Sequence, residues 1–463
     1  MFKKMGTVAL GTGLLFAGIS GNAAQVQAQA EANQFGFPGM WAPGWNGSSQ
    51  QEEVENVIYM IPDGFNAGYA TNYRWYKGEE AVWDQHLKGM FKTKSSNSRV
   101  TDSAAAGTAM ATGHKTQNGV VGLDAQGNEV QTILEAAEEN DKSSGLVATS
   151  SITHATPASF ASHVESRDNQ TEIARQMLAN DVDVMLGGGK DYFLPESEGG
   201  LQAEENLLQQ ARESDYQHVE TSSELTNADD VNVNEGEKLL GLFAGGAMSP
   251  ELQRSNREEP SLSDMTSSAI ETLDSDQDGF FLMVEGSQID WAGHANDAGW
   301  AMSDTAAFEQ AVEEAISYAE EDGNTLVVVA GDHETGGMSV GANGEGDVQA
   351  DQLQDVQATG EYMAGQLNED RSNARDVLEQ YTSFEWTEEN ITAVQEADNP
   401  TAAINTLISD KALIGWTTSG HTGVDIPVYA YGPQSDAFSG LLDNTELPGI
   451  MAEAMNITLG GNQ

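Results

Sequence analysis

The chain has 463 residues, 39% of them hydrophobic, a composition typical of a globular protein larger than one usual domain. It carries 73 Asp and Glu residues against 20 Lys and Arg, and this net charge of −53 excludes nucleic acid and anionic membranes as partners, because both would be repelled. The chain has no cysteine, which excludes disulfides and thiolates, so any zinc ion must be held by Asp, Glu and His.

The acidic residues are spread over the whole chain rather than collected in one tail. This distribution favours a halophilic surface, on which salt screens the repulsion between solvated carboxylates. A merely acidic, soluble protein is the alternative. We expect activity and folding to tolerate or to require high salt.

The first thirty residues have the features of an export signal. Two lysines precede a short apolar stretch, VALGTGLLFAGI, which is too short and too Gly-rich to span a bilayer, and an A-x-A cleavage site ends at Ala30. Cleavage near Ala23 or Ala24 and an uncleaved membrane anchor are the alternatives. We predict a signal peptide at 1–30, an irregular N-terminal arm at 31–52 and a periplasmic or secreted protein.

Short apolar runs alternate with helical stretches along the rest of the chain. The runs are NVIYMIP, SSGLVATSS, DVDVMLGGG, GFFLMVEG, NTLVVVAG and IPVYAYG, and the helical stretches include VQTILEAAEEN and SLSDMTSSAIETL. This alternation predicts an α/β fold with a mainly parallel central sheet flanked by helices on both faces. We assign the catalytic α/β domain to 53–337 and 416–463. The polar stretch 338–415 is interpreted as an inserted smaller lobe, either a cap or subunit interface or a solvated surface insertion.

Polar side chains cluster just past the predicted strand ends, where open α/β sheets bind ligands. Further along, Asp290 and His294 have the spacing of one helix face, and His421 lies between two glycines. A surface pair without a metal is the alternative for Asp290 and His294 alone. Carboxylates and imidazoles in this combination predict a metal site for phosphoryl transfer. The residues at the strand ends are Asp63, His154, Thr156, Glu285, Asp332 and His333.

Ser103 is the candidate nucleophile. Thr101 and Asp102 are good N-cap residues, so Ser103 is expected at a helix N-terminus, where partial positive charge favours an anion. A helix dipole alone does not produce an alkoxide at neutral pH, and a bound metal ion is the natural activator. The alternative is a serine that only caps the helix.

Arg167 is the candidate phosphate ligand, because its planar guanidinium matches two phosphate oxygens. A surface arginine in a salt bridge is the alternative.

An EF-hand pattern is present but misleading. Asp274, Asp276, Asp278, Gly279 and Glu285 fit D-x-D-x-D-G-x5-E, yet the residues after Gly279 form an apolar strand. Six strand steps would carry Glu285 roughly 20 Å away from Gly279. We therefore reject an EF-hand, while a calcium ion held by the three aspartates alone stays open.

The segments IPDG, VTDSAAAGTA, THATPA, VEGSQIDWAGH, GDHETGG and SGHTG together resemble the alkaline phosphatase family, in particular its bacterial, cold- or salt-adapted members. The resemblance runs from about Val54 to IPVYAYG. It implies hydrolysis of small phosphate monoesters through a phosphoserine, with inorganic phosphate as product, at a site with two Zn²⁺ and one Mg²⁺. It also implies a homodimer.

The same resemblance implies a role for each candidate residue. Ser103 attacks phosphorus and Arg167 holds the phosphate. His154 and Trp291 vary within the family, and Trp291 cannot supply the positive charge that other members place near the phosphate. With Asp102, these two residues are expected to support the site without holding a metal. The expected ligands are Asp290, His294 and His421 for the first zinc, Asp63, Asp332 and His333 for the second, and Asp63, Thr156 and Glu285 for magnesium.

Three rival functions are possible on the sequence alone. A sulfatase needs a C/S-x-P-x-R motif, and DSAAAG lacks both the proline and the arginine. A phosphodiesterase of the same superfamily needs room for a second ester substituent, which a sequence does not reveal. An exported, acidic cation-binding protein would take up metal without turnover, and it leaves the placement of Ser103 and Arg167 unexplained.

Overall fold

A computed structural model describes residues 54–226, 238–254 and 257–460. The predicted signal peptide and N-terminal arm lie outside these residues. Within the described ranges, no helix is both long enough and apolar enough to cross a membrane.

The strands and helices alternate along the chain. The strands are β1 (Asn56–Pro62), β2 (Leu87–Lys92), β3 (Ser143–Ser151), β4 (Val184–Gly188), β5 (Tyr216–Val219), β6 (Lys238–Leu242), β7 (Phe280–Gly286), β8 (Thr325–Ala330), β9 (Glu334–Thr335), β10 (Ser339–Val340), β11 (Ile414–Gly415), β12 (His421–Thr422), β13 (Ile426–Tyr431) and β14 (Gly440–Asp443). The helices are α1 (Ala67–Lys77), α2 (Ser103–Thr112), α3 (Ile133–Glu138), α4 (Ala155–Ala161), α5 (Gln170–Ala179), α6 (Leu207–Glu213), α7 (Ser222–Thr226), α8 (Glu251–Arg254), α9 (Leu262–Leu273), α10 (Gln288–Ala295), α11 (Ala298–Asp322), α12 (Gly360–Gly365), α13 (Ala374–Tyr381), α14 (Glu388–Glu396), α15 (Pro400–Ala412) and α16 (Leu447–Ala454).

Ten strands form one sheet in the order β14-β2-β13-β8-β1-β7-β3-β4-β6-β5. All neighbours are parallel except β13, which runs antiparallel to both β8 and β2. Every residue of the central strand β1 is buried, as a near-continuous apolar run in a covered parallel sheet should be.

Helices cover both faces of this sheet. Along β1, Ile58 and Met60 point into one hydrophobic cluster with α9 and α11, while Val57 and Tyr59 point into a second cluster with α2, α3, α4 and α16. The predicted α/β class with helices on both faces is therefore confirmed, and so are the six predicted strands.

Four further strands of this sheet, β2, β5, β6 and β14, were not predicted, and neither were the two-residue strands β9 to β12 of the two small sheets. The first four lie toward the two edges of the large sheet, where short or half-exposed segments such as LKGMFK and GLLD show no apolar run.

The polar stretch 338–415 packs onto the α9 and α11 face. Its buried side chains, including Leu353, Met363, Leu378 and Ile404, belong to the same hydrophobic cluster as the residues of the central sheet. A role for this stretch as a cap or a subunit interface stays a prediction.

Candidate active site

The candidate site residues meet at one edge of the sheet. Asp63, Glu285 and Asp332 lie at or just past the carboxyl ends of β1, β7 and β8, which are neighbours in the sheet. Because β13 runs antiparallel to β8, its amino end lies at the same edge and brings the preceding His421 there. The topology therefore assembles segments that are up to 358 residues apart in the chain (63 to 421).

Ser103 is the first residue of α2, as predicted. Asp102 caps the helix, since its Oδ1 accepts the backbone N–H of Ala105 at 3.0 Å. Gly107 lets α4 approach closely, because a Cβ at this position would lie 2.9 Å from Oγ of Ser159. The Ser103 hydroxyl is buried and lies 3.2 Å from Nε2 of His333.

The first cluster that could hold a metal consists of Asp290, His294 and His421. Asp290 and His294 lie on one face of α10, as the spacing predicted, with Nε2 of His294 3.4 Å from Oδ2 of Asp290. Nε2 of His421 lies 3.6 Å from Oδ1 of the same carboxylate. Each histidine donates through Nδ1 to a backbone carbonyl, which leaves both Nε2 atoms free to face a common point.

The second cluster consists of Asp63, Asp332 and His333. Nε2 of His333 lies 3.2 Å from Oδ2 of Asp332 and 3.6 Å from Oδ1 of Asp63. All three side chains are fully buried directly behind Ser103. The adjacent residues Asp332 and His333 thus converge in the loop after β8, as expected for positions just past a strand end.

The third cluster consists of Asp63, Glu285 and His154. Thr156 lies beside Glu285 in the first turn of α4, and His154 is the N-cap residue of this helix. The structure also places His154 among the side chains that could hold a metal, whereas the sequence suggested only a supporting position for it.

The buried atoms of these clusters fit bound cations. Both carboxylate oxygens of Asp63, Oε1 of Glu285 and Oδ2 of Asp332 are buried without a hydrogen-bond partner. Buried polar atoms are rarely left in this state, so unpaired acceptors converging on shared points indicate that positive charge belongs there.

The pKa values reflect the same crowding of negative charge. Burial raises the pKa of Glu285 to about 7 and that of Asp332 to about 6, and burial together with the charge of Asp332 raises the pKa of Asp63 well above its usual value. Burial lowers the pKa of His154 to about 3, with a further contribution from Arg167, so its ring is neutral. Neutral imidazoles and carboxylates are the forms that bind metal ions.

Arg167 points at the same edge. Its Nη1 donates to Oδ2 of Asp102 at 3.1 Å, and its Nη2 lies 3.0 Å from Nε2 of His154. The guanidinium is thus held against Asp102, the residue before Ser103, and against His154. Trp291 packs edge-on against His154, with ring centroids 5.7 Å apart.

Two supporting residues were not singled out from the sequence. The Thr335 hydroxyl donates to the Asp290 carboxylate, and Glu334 accepts from Thr422 and from the backbone N–H of Met338. Both residues follow His333 in DHETGG, and they link the loop after β8 to α10 and to the His421 segment. Their position directly after the predicted ligands Asp332 and His333 was the only feature of the sequence that indicated a role in the site.

The EF-hand pattern is not a calcium loop in the structure. The residues after Gly279 form β7, and Glu285 points into the third cluster. Two of the three aspartates before it have other partners: Asp274 accepts from Tyr318, and Asp276 accepts from the backbone N–H of Asp278.

Comparison with known proteins agrees with this geometry. The alkaline phosphatase family model matches residues 54–457. Alkaline phosphatase 4 of Bacillus subtilis is 41% identical over 421 residues, which cover 86% of this chain and 88% of the relative.

Solved structures give the same answer. The cold-active alkaline phosphatase of the psychrophile Shewanella sp. superposes with a TM-score of 0.79 at 34% identity, covering 86% of this chain and 99% of that one. A histidine-to-glutamate variant of the alkaline phosphatase from the Antarctic bacterium TAB5, with Mg bound in the M3 site, has a TM-score of 0.66 at 31% identity, covering 88% and 100%. The chain therefore belongs to the alkaline phosphatase family.

Proposed function

We propose that this protein hydrolyses small phosphate monoesters through a phosphoserine formed on Ser103, releasing inorganic phosphate. The observation that carries the proposal is the position of the Ser103 hydroxyl. It lies at the N-terminus of α2 and 3.2 Å from His333 of the second cluster, and the preceding residue, Asp102, accepts a hydrogen bond from the Arg167 guanidinium. A nucleophile, an anion-binding helix terminus and a guanidinium at one point suit an in-line displacement at phosphorus.

Each protein group has a separate role in the proposed reaction. Ser103 supplies the attacking oxygen, and the backbone N–H groups of the first turn of α2 favour an anion in front of it. Arg167 binds two phosphate oxygens with its planar guanidinium, while Asp102 and His154 fix its orientation. No other recognition element is assigned, so we expect a broad range of monoesters.

We propose two zinc ions and one magnesium ion as cofactors. Asp290, His294 and His421 would hold one zinc, and Asp63, Asp332 and His333 the other, since imidazole with carboxylate is a usual zinc donor set. Asp63, Glu285 and Thr156 would hold magnesium, which prefers oxygen, and the TAB5 variant gives a related enzyme with Mg in its M3 site. Such ions stabilise the charge that develops on the oxygens around phosphorus.

We further propose an exported, salt-adapted homodimer. Export rests on the leader-like first thirty residues, and salt adaptation rests on the net charge of −53. For the dimer, the outer strands offer an apolar contact: Met90 of β2 and Leu441 of β14 are paired neighbours, and 37% and 59% of their surfaces are exposed. Sedimentation of the folded protein tests the dimer.

The activity is tested by hydrolysis of a chromogenic phosphate monoester and the matching diester at alkaline pH and high salt. The protein is assayed as purified, after chelation, and after zinc and magnesium are restored. Monoester hydrolysis that follows the metals supports the proposal. Faster diester hydrolysis would instead assign a phosphodiesterase, and metal uptake without turnover would assign a cation-binding protein.

A further inference from the structure

The His163 side chain joins two segments behind Arg167. Its Nδ1 lies 2.7 Å from the carbonyl oxygen of Gly122, and its Nε2 lies 2.8 Å from Oε1 of Glu135 on α3. The backbone N–H of His163 donates to Oε1 of Gln176 on α5 at 2.7 Å. The residue is therefore fixed at both ring nitrogens and at its main chain.

Both groups that face the ring are hydrogen-bond acceptors. A carbonyl oxygen has no proton to give, and the Glu135 carboxylate already accepts the backbone N–H of Thr132 through its other oxygen at 2.9 Å. A neutral imidazole has one N–H, so both contacts of His163 are hydrogen bonds only when the ring carries two protons. Against the Gly122 carbonyl oxygen and an ionised Glu135 carboxylate, the ring makes both hydrogen bonds only as an imidazolium.

The surroundings favour that charge. A cavity of about 550 Å³ beside the ring is lined by four carboxylates and the uncharged amides of Gln131 and Asn180. Burial acts to lower the pKa of His163, but the hydrogen bonds to Glu135 and Gly122 and the negative charge of Glu129 outweigh it, so the pKa is raised. The four carboxylates are Glu129, Glu135, Glu138 and Glu139.

The segment that His163 begins also carries Arg167. Val164 pairs with Val121 through backbone hydrogen bonds of 2.9 and 3.0 Å, and the backbone N–H of Arg167 donates to the carbonyl of Gly119 at 2.8 Å. The 119–122 and 163–167 segments therefore run side by side, with the His163–Gly122 contact at one end and the Arg167–Gly119 contact at the other.

The contact also leads to Asp102. Oδ2 of Asp102 accepts the backbone N–H of Gly119 at 2.9 Å and Nη1 of Arg167 at 3.1 Å. The backbone around Gly119 therefore fixes both the Arg167 main chain and the partner of its guanidinium, next to Ser103.

We propose that the His163 imidazolium is a positioning group for Arg167, and that it sets the affinity of the site for phosphate. It ties the 119–122 segment to the 163–167 segment, so that the guanidinium is held where it binds two phosphate oxygens. This inference rests on the proposed function, in which Arg167 binds the phosphate.

The proposal has a pH dependence with a definite sign. Because the pKa of His163 is raised, both hydrogen bonds are present below that pKa, and one is lost as the pH rises through it. Phosphate affinity should therefore fall over this pH range as the 163–167 segment loosens. The metal ligands also respond to pH. A variant is therefore needed in which His163 keeps both hydrogen bonds without the second ring proton.

Glu135→Gln is that variant. The side-chain amide introduced at position 135 can donate to Nε2 of a neutral His163 and still accept from Thr132, while Nδ1–H continues to donate to Gly122. The contact then no longer needs a second ring proton. His163→Gln breaks the contact at every pH, and His218→Gln, a part-buried histidine on the edge strand β5, controls for the loss of a histidine elsewhere.

The test measures binding of inorganic phosphate to the metal-loaded protein by calorimetry from neutral to alkaline pH, together with KM and kcat. In His163→Gln, we expect the phosphate dissociation constant and KM to rise about tenfold, as for the loss of one charged hydrogen bond, with kcat changed less than about twofold. In Glu135→Gln, the His163-dependent loss of affinity at high pH should disappear. His218→Gln should match the wild type.

The ring NMR signals of His163, assigned by their loss in His163→Gln, should titrate at higher pH in the wild type than in Glu135→Gln. Wild-type phosphate affinity in folded His163→Gln would overturn the proposal, and so would an unchanged pH dependence in Glu135→Gln. If His163→Gln does not fold, Glu135→Gln decides alone. If the wild type neither binds phosphate nor hydrolyses monoesters, the proposed function itself is wrong.

Discussion

Nε2 of His294 and Nε2 of His421 lie 3.1 Å apart, while Nδ1 of each ring lies within 2.8 Å of a backbone carbonyl oxygen. Since each Nδ1–H donates to a carbonyl, two neutral rings turn Nε2 lone pairs toward each other. This arrangement is repulsive unless a proton or a metal ion lies between the nitrogens, and the Asp290 carboxylate adds negative charge at the same point. The fold therefore builds a site whose protein groups are stable together only with positive charge.

Metal binding should stabilise the folded protein. With metal at about a thousandfold its dissociation constant, we expect Tm to be roughly 10 °C above that of the chelated protein. His294→Ala should shrink this difference, whereas His114→Ala, at a histidine outside the three clusters, should not. Calorimetry with and without chelator measures this Tm difference for each protein. Equal Tm values for metal-loaded and chelated wild-type protein would contradict the assignment of metal sites.

Ser103→Ala should abolish turnover and keep the metals. Loss of the attacking oxygen should lower kcat by roughly a thousandfold or more, because the remaining groups cannot form the covalent intermediate. Metal content by elemental analysis should stay at the wild-type value. Ser159→Ala, at the α2–α4 contact, is the matched control. Near-normal turnover in Ser103→Ala would remove Ser103 as the nucleophile.

Arg167→Lys should weaken phosphate binding more than it lowers turnover. A lysine keeps the charge but loses the planar pair of donors that Asp102 and His154 now orient, so we expect KM to rise about tenfold. Arg175→Lys, at a surface pair with Glu172, should leave KM unchanged. Steady-state kinetics measure KM and kcat for both variants. A wild-type KM in Arg167→Lys would exclude Arg167 as the phosphate ligand.

Glu138→Gln should stabilise the protein at pH 8 but not at pH 5. Burial raises the pKa of Glu138 to about 7, with hydrogen bonding from Ser144 acting in the opposite direction. A carboxylate with a raised pKa contributes stability when protonated, and this contribution is lost as the pH rises through about 7. Glutamine removes that loss, so Tm at pH 8 should rise by roughly 2 °C or more. The exposed neighbour variant Glu139→Gln should show no such change between the two pH values.

Salt should stabilise the fold. At 1 M salt the screening length falls to about 3 Å, which weakens repulsion among the exposed carboxylates. We expect Tm to rise from low salt to molar KCl, and to rise less with sucrose, which is excluded from the surface but does not screen charge. A stability maximum in low-salt buffer would overturn the halophilic interpretation.

Most residues of the candidate site could be predicted from the sequence because they follow local rules. Asp290 and His294 are four residues apart on a helix, and Asp332 and His333 come directly after an apolar strand. Aspartate is a preferred N-cap residue, and in the structure Asp102 caps α2. In each case, a short segment determines both the local conformation and the direction of the side chains.

Other features depend on long-range contacts, which short segments of the sequence do not show. His154 could be placed near the third cluster, but the direction of its two nitrogens depends on Arg167 and on the burial of Nδ1. The loop of His421 reaches the site because β13 is antiparallel in a mainly parallel sheet, which no spacing in the chain shows. The edge strand β14 and its neighbour β2 have no apolar run, since most of their residues are exposed or half-buried.

The most direct test of the central claim is to look for phosphate on Ser103. Wild-type protein, loaded with zinc and magnesium, is mixed with a phosphate monoester, quenched in acid, cleaved after Arg and Lys, and analysed by mass spectrometry. We expect phosphate on Ser103 in the 100–115 peptide, and we expect none in chelated protein or in Ser103→Ala. Rapid metal-dependent turnover with this peptide unmodified at every quench time, or with phosphate on another residue, would contradict it.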